Sequence, residues 1–64
     1  MKGTIARWFE HRGFGFIDVE GQSNDIFIHV SDMKGSSTPT VGDEVEFEVS
    51  DTYKGPRATD VEIM

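Results

Sequence analysis

Cysteine is absent from this 64-residue sequence, which rules out disulfides and thiolate metal sites as sources of stability. No apolar run is long enough for a membrane span or for the hydrophobic part of a signal peptide. Helical periodicity is also absent, because no stretch repeats its apolar residues at the spacing of a helix face. We therefore expect residues 1–64 to form one complete cytoplasmic domain of strands, near the lower size limit for unaided folding.

Cations are scarce, since six Lys and Arg against twelve Asp and Glu give a formal net charge of −6. That balance argues against a protein that coats DNA by charge alone, which needs a basic surface. It does not exclude nucleic acid, because stacking of bases on aromatic side chains does not depend on net charge. Most acidic residues fall within residues 43–62. Arg7 and Arg12 lie outside that range, and Lys54 and Arg57 lie within it but in a loop. We therefore expect a surface with a weakly basic aromatic side and an acidic opposite side.

Short apolar runs separated by turn-forming residues predict five β-strands, at 2–9, 14–19, 25–30, 44–49 and 57–63. No segment is long enough to serve as a crossover helix, so we expect the strands to pair antiparallel. So few strands avoid open edges most simply by closing into a small barrel. The sequence thus predicts an all-β, five-stranded antiparallel barrel, which we expect to be a monomer.

Alternation of side chains along each strand separates an aliphatic face from an aromatic one. The aliphatic face is the predicted barrel interior and carries Ile17, Val19, Ile26, Ile28, Val30, Val45, Phe47, Val49, Val61 and Ile63. The opposite face of the second and third strands carries Phe14, Phe16, Phe27 and His29. Burial of these rings in the core is the alternative, but strand geometry cannot bury both faces of one small barrel.

The first strand takes its phase from Ile5, which we expect to point into the barrel. Counted from Ile5, Trp8 points outward, toward the aromatic patch. Arg7 then has the parity of an inward residue, which indicates a bulge or a strand end at that point.

An exposed aromatic patch predicts a binding surface, because large contiguous apolar areas on a small domain usually have a partner. Unstacked bases suit a row of rings, and each stacked base contributes about 1–3 kcal/mol. The alternative is a small barrel adaptor that binds a proline-rich peptide in a groove lined by Trp8, Phe14, Phe16 and Phe27.

Catalysis is not expected from the side chains available. His29 and Asp25 share a strand face but stand roughly 13 Å apart along an extended strand, too far for a base and its orienting acid. The glycines do not form a phosphate-binding loop, and the carboxylates lack the spacing of a calcium loop. We expect no catalytic residue, no metal and no cofactor.

Two segments, Arg12-Gly13-Phe14-Gly15-Phe16-Ile17 and Asp25-Ile26-Phe27-Ile28-His29-Val30, resemble the paired nucleic-acid-binding motifs of the cold-shock domain, K-G-F-G-F-I and D-V-F-V-H-F. Gly3-Thr4-Ile5, Trp8-Phe9 and Gly55-Pro56-x-Ala58 fit as well, so the resemblance covers nearly the whole chain. It implies an OB-fold barrel that binds single-stranded RNA and DNA with little sequence preference. It also implies an RNA chaperone that keeps transcripts unfolded in the cold.

The resemblance also implies roles for individual residues. Arg12 stands where the family has a lysine, and Asp25 where an aspartate can accept a hydrogen bond from a base edge. Lys54 and Pro56 lie in what resembles the family's last binding loop. The stacking residues implied by the resemblance are Phe14, Phe16, Phe27 and His29.

Three departures from the family's pattern predict weaker binding than in a fully aromatic member. Val30 replaces a phenylalanine, and the shorter loop Ser36–Pro39 contains no aromatic residue. Trp8 stands one residue closer to the Gly-Phe-Gly-Phe motif than usual. Either the preceding turn is short by one residue, or Trp8 takes the family's adjacent aromatic position and Arg7 its tryptophan position. We expect Trp8 to point outward in both cases, and we count Arg7 and Trp8 among the binding residues.

Overall fold

A computed structural model describes residues 1–35 and 38–64 of the chain. In these residues, strands β1 (Lys2–Phe9), β2 (Phe14–Asp18), β3 (Ile26–His29), β4 (Glu44–Thr52) and β5 (Gly55–Ile63) are joined by turns and by a short 3₁₀ turn, Val30–Asp32. The strands close into a barrel in the order β1-β2-β3-β5-β4. None of the described residues belongs to a helix that could cross a membrane. The predicted five-stranded barrel is confirmed, and β4 and β5 are longer than expected.

One seam of the barrel departs from the antiparallel prediction, because β3 and β5 pair parallel at Phe27 and Arg57. The other seams, β1 with β2, β2 with β3, β1 with β4 and β4 with β5, are antiparallel. An odd number of strands cannot alternate in direction all the way around a closed ring, so one parallel seam is unavoidable. The consequence is that Arg57 lies beside Phe27.

The barrel interior is aliphatic, as the alternation predicts. The buried residues are Ile5, Ile17, Val19, Ile26, Ile28, Val45, Phe47, Ala58 and Val61. Two predictions for the interior are wrong. Val30 starts the 3₁₀ turn and is 38% exposed, and Val49 is 36% exposed although it has the same parity as the buried Val45 and Phe47. The β4–β5 register shift places its extra residue in β5, between Glu62 and Thr59, so Ala58 and Val61 both face the interior although their parity differs.

Acidic side chains line the outer faces of β4 and β5, and one pair of them faces across the ladder. Glu46 stands directly opposite Glu62 on one side and opposite Lys2 of β1 on the other. Like charges directly opposite each other destabilise a sheet. The arrangement thus contains one favourable and one unfavourable neighbour for Glu46.

Replacing Glu62 with lysine should stabilise the barrel. The change turns a repulsive cross-strand pair into an attractive one, and we expect a gain of about 0.5–1 kcal/mol at low salt. Urea denaturation of both proteins at low and high ionic strength measures it. Glu62→Gln, which only removes the repulsion, should fall between them, and the differences should shrink in high salt because exposed charges are screened. Equal stability of all three proteins would contradict the prediction.

Candidate functional site

The outer face of β1, β2 and β3 carries a contiguous set of rings, here called the aromatic ladder: Phe9, Phe14, Phe16, Phe27 and His29. Phe14 pairs with His29 and Phe16 with Phe27 across the antiparallel β2–β3 ladder, which places all four on one face. Ring centroids of neighbours lie 5.2 Å apart for Phe9–Phe14, 5.8 Å for Phe14–Phe27, 6.1 Å for Phe16–Phe27 and 6.4 Å for Phe27–His29. These distances are typical of interacting aromatic pairs.

The rings are held against one another but are not part of the core. Phe9 is 41% exposed, and the other members of the ladder are half-buried. The buried cluster of the barrel forms without them. The outward orientation predicted for Phe14, Phe16, Phe27 and His29 is therefore confirmed, and the alternative that the phenylalanines form the core is wrong.

A bulge in β1 reverses the faces expected for its last residues. The β1–β2 register shifts between Ile5 and Arg7, so that Arg7 faces Phe16 and Trp8 faces Gly15. This bulge explains why Arg7 has the parity of an inward residue in the sequence and yet faces outward. The prediction that Trp8 points outward is wrong, because the extra residue turns its side chain to the interior face.

Trp8 packs half-buried against the core instead of joining the ladder. It fits there because Gly15 has no side chain: a Cβ at Gly15 would lie 2.8 Å from Cε3 of the Trp8 ring. The indole Nε1 is buried and has no hydrogen-bond partner among the described residues. Arg7, by contrast, faces Phe16 and is exposed.

Phe9 is the ladder residue that the sequence analysis missed. It pairs with Phe14 across β1 and β2, and the same register shift that turns Trp8 inward turns Phe9 outward. The signal was present in the parity of Arg7. Once a bulge is placed before Arg7, the alternation assigns Phe9 to the outer face.

An open groove of about 600 Å³ runs between the ladder and the turn that joins β4 to β5. Its lining consists of Phe16, Phe27 and His29 of the ladder together with residues 52–57. Lys54 and Pro56, which the resemblance implies as binding residues, both line it. Tyr53 and Arg57 line it as well and were not expected there.

Arg57 is fixed in position at the edge of this groove. Its Nε donates to Oδ2 of Asp32 at 2.7 Å, and its Cζ lies 5.9 Å from the centroid of the Phe27 ring. Both contacts follow from the parallel seam, which no local pattern in the sequence indicates. A guanidinium held over a ring can add cation–π and phosphate contacts beside a stacked base.

His29 is oriented by the residue that follows β3. Its Nδ1 accepts the backbone N–H of Ser31 at 3.1 Å and lies 2.9 Å from the Ser31 Oγ. A neutral ring whose Nδ1 accepts carries its proton on Nε2. His29 therefore has Ser31 as its partner and not Asp25, which agrees with the prediction that the two do not form a catalytic pair.

Of the charged residues predicted to bind, only Lys54 lines the groove, and Arg7, Arg12 and Asp25 lie outside it. Arg7 is exposed on the outer face beside Phe16, and Arg12 is exposed in the turn whose N–H groups at Arg12 and Gly13 donate to Phe9 O at 3.0 and 2.8 Å. Asp25 is exposed immediately before β3 and is not part of the groove wall. In the loop predicted to lack an aromatic, residues 36 and 37 lie outside the described part of the chain.

Comparison with known protein families identifies the kind of domain that carries this surface. The family model described as "'Cold-shock' DNA-binding domain" matches residues 1–64. The chain belongs to the cold-shock domain family. The cold-shock domain is a nucleic-acid-binding module, so the prediction of a nucleic-acid-binding protein that is not an enzyme is confirmed.

Individual relatives agree with the family assignment. Cold shock-like protein CspC of Buchnera aphidicola subsp. Acyrthosiphon pisum is 45% identical over 64 residues, which are 95% of this chain and 91% of that protein. CspC of Shigella flexneri is 44% identical over the same shares, and a cold shock-like protein of Aquifex aeolicus is 41% identical over 100% of this chain and 94% of its own.

A solved structure described as "drosophila Unr CSD456" superimposes with a TM-score of 0.81 at 30% identity over 98% of this chain. This chain corresponds to 26% of that longer structure. The match confirms the cold-shock domain barrel.

Proposed function

We propose that this cold-shock domain binds single-stranded RNA and DNA with little sequence preference, by stacking bases on the aromatic ladder and in the groove beside it. The observation that carries the proposal is the ladder itself, whose rings support one another and remain accessible from the outer side. Every base has a π-face, so stacking tolerates any sequence. A duplex keeps its bases stacked on each other and offers none to the rings.

The distribution of charge supports single strands over duplex. Exposed cations stand around the ladder, at Arg7 and Arg12, and in the groove turn, at Lys54. The acids of β4 and β5 lie on another face of the barrel. Few phosphates can then be neutralised, so affinity should fall only gently with salt.

A chaperone role follows from the same preference. A protein that binds unpaired bases lowers the free energy of the open form of a hairpin and so shifts the equilibrium toward it. Cold stabilises RNA hairpins, and a protein that binds unpaired bases counteracts that stabilisation. We place this activity in the cytoplasm, where transcripts are found, and assign it to a monomer because one barrel carries the complete ladder and groove.

Fluorescence anisotropy of end-labelled oligothymidine tests the proposal, with a hairpin duplex of equal length as the control. We expect binding of the single strand, little binding of the duplex, and a lower melting temperature for a labelled RNA hairpin with an unpaired loop. Trp8 emission is a poor probe for this titration, because Trp8 packs against the core. Equal affinity for duplex and single strand, or preference for a polyproline peptide, would overturn the proposal.

Replacing Val30 with phenylalanine should tighten binding of oligothymidine. Val30 is exposed directly after β3 and lies against Gly13, at the end of the ladder that carries His29. A ring there adds one stacking platform, and we expect about a fivefold gain at the low end of the energy per stacked base. The same anisotropy titration measures it, with Val30→Leu as the control for added apolar bulk. No gain over the leucine variant would show that position 30 is not a missing platform.

A further inference from the structure

Tyr53 is an aromatic residue for which the fold provides no packing. It stands at the tip of the turn between β4 and β5, and it is 95% exposed. Burying a ring is a large stabilising contribution in a small domain, yet this ring contributes almost none. An aromatic side chain so exposed, in the lining of a groove that Phe16 and Phe27 also line, indicates a role in contact with a ligand.

The turn that carries Tyr53 has a defined base. The Thr52 Oγ1 donates to the Gly55 carbonyl at 2.8 Å and accepts the backbone N–H of Lys54 at 3.2 Å. Gly55 has a φ of 121°, in a region that other residues rarely adopt. Residues 53 and 54 line the same groove as Phe27 and His29.

We propose that Tyr53 is a second stacking wall, which holds one nucleobase in the groove between its own ring and the ring pair of Phe27 and His29. This inference rests on the proposed function and adds a subsite to it. The groove volume of about 600 Å³ lies within the range of about 300–1,000 Å³ found for sites that hold small organic ligands.

The positive charges at the groove favour a nucleotide as its ligand. The Lys54 Nζ lies 5.8 Å from the centroid of the Tyr53 ring, and Arg57 is fixed beside Phe27. A base in this groove thus has two cations in the surrounding lining, available to the phosphates of its own strand. A proline-rich peptide would gain nothing from these cations, and it serves as the competing ligand in the test.

The chain contains a single tyrosine, so protein labelled with 3-fluorotyrosine gives one ¹⁹F resonance, from residue 53. We expect saturating oligothymidine to shift that resonance and a hairpin duplex to leave it in place. A resonance that stays unmoved while the strand is bound would overturn the inference. A shift caused by a polyproline peptide but not by oligothymidine would overturn it as well.

Variants provide the second arm of the test. Tyr53→Ala should weaken binding of oligothymidine about five- to tenfold, whereas Tyr53→Phe, which keeps the ring, should bind within about twofold of the native protein. Val41→Ala, which removes apolar surface from an exposed residue outside the groove, is the matched control and should have no effect. Because Tyr53 packs against nothing, the thermal unfolding of all these variants should match that of the native protein.

An abasic scan locates the subsite. Oligothymidines that lack one base at successive positions should include one to which the native protein and Tyr53→Ala bind equally, because the lost base and the lost ring belong to one interaction. If Tyr53→Ala binds every oligonucleotide as the native protein does, while Phe27→Ala loses binding, the second wall is wrong and the proposed function stands. If the native protein binds no single strand, the proposed function itself fails.

Discussion

Replacing Phe27 with alanine should weaken binding of single-stranded oligothymidine about a hundredfold and leave the barrel folded. Phe27 is the central ring of the ladder, since it contacts Phe14, Phe16 and His29 and lies under the guanidinium of Arg57. Its removal deletes one stacking platform and takes lateral support from three others. A loss of about 3 kcal/mol, the upper end for one stacked base, corresponds to about two orders of magnitude in affinity.

The fold should survive the change because Phe27 is half-buried on the outer face and does not belong to the buried core. Circular dichroism through thermal unfolding checks this, and anisotropy with labelled oligothymidine measures the affinity. Phe27→Leu separates the π-face from apolar bulk: it should keep the stability of the native protein and still lose most of the binding. A leucine variant that binds as tightly as the native protein would show that the site is a simple apolar surface.

The strands and the two faces of β2 and β3 could be predicted from the sequence, because alternation is a local property of an extended chain. Ile17 and Ile26 face inward while Phe16 and Phe27 face outward, as their parity requires. The orientation of Trp8 could not be predicted in the same way. It depends on one extra residue in β1, and a bulge is selected by how two strands pair and not by either strand alone.

The groove is the least predictable part of the site, because it joins segments that are distant in sequence. Tyr53 and Arg57 reach the ladder only through the parallel seam of β3 and β5, which follows from closing an odd number of strands. Lys54 and Pro56 were assigned by resemblance to the family and not by any pattern of their own. Long-range pairing of this kind leaves no periodic signal in the residues that it brings together.

Replacing Gly15 with alanine should unfold much of the protein at room temperature. A Cβ at this position would lie 2.2 Å from the Arg7 carbonyl oxygen, 3.0 Å from the Trp8 Cα and 2.8 Å from the Trp8 Cε3. The first two atoms are backbone, so the clash is relieved only by separating β1 from β2. Overpacking that side chains can absorb costs about 1–3 kcal/mol, and a backbone clash costs more. A domain of this size has a total stability of about 3–10 kcal/mol.

Gly21→Ala distinguishes lack of space from backbone conformation as the cause. Gly21 has a φ of +84° and no atom within 4 Å of a Cβ, so its replacement costs only the strain of a left-handed residue, about 1–2 kcal/mol. Urea denaturation should therefore rank Gly15→Ala well below Gly21→Ala, and similar losses would contradict the argument. Binding must not be the readout here. Gly15 lies between Phe14 and Phe16, so an unfolded Gly15→Ala variant also loses the ladder and therefore its binding. An affinity assay alone would then suggest that Gly15 contacts the nucleic acid, although its role is to leave room for Trp8.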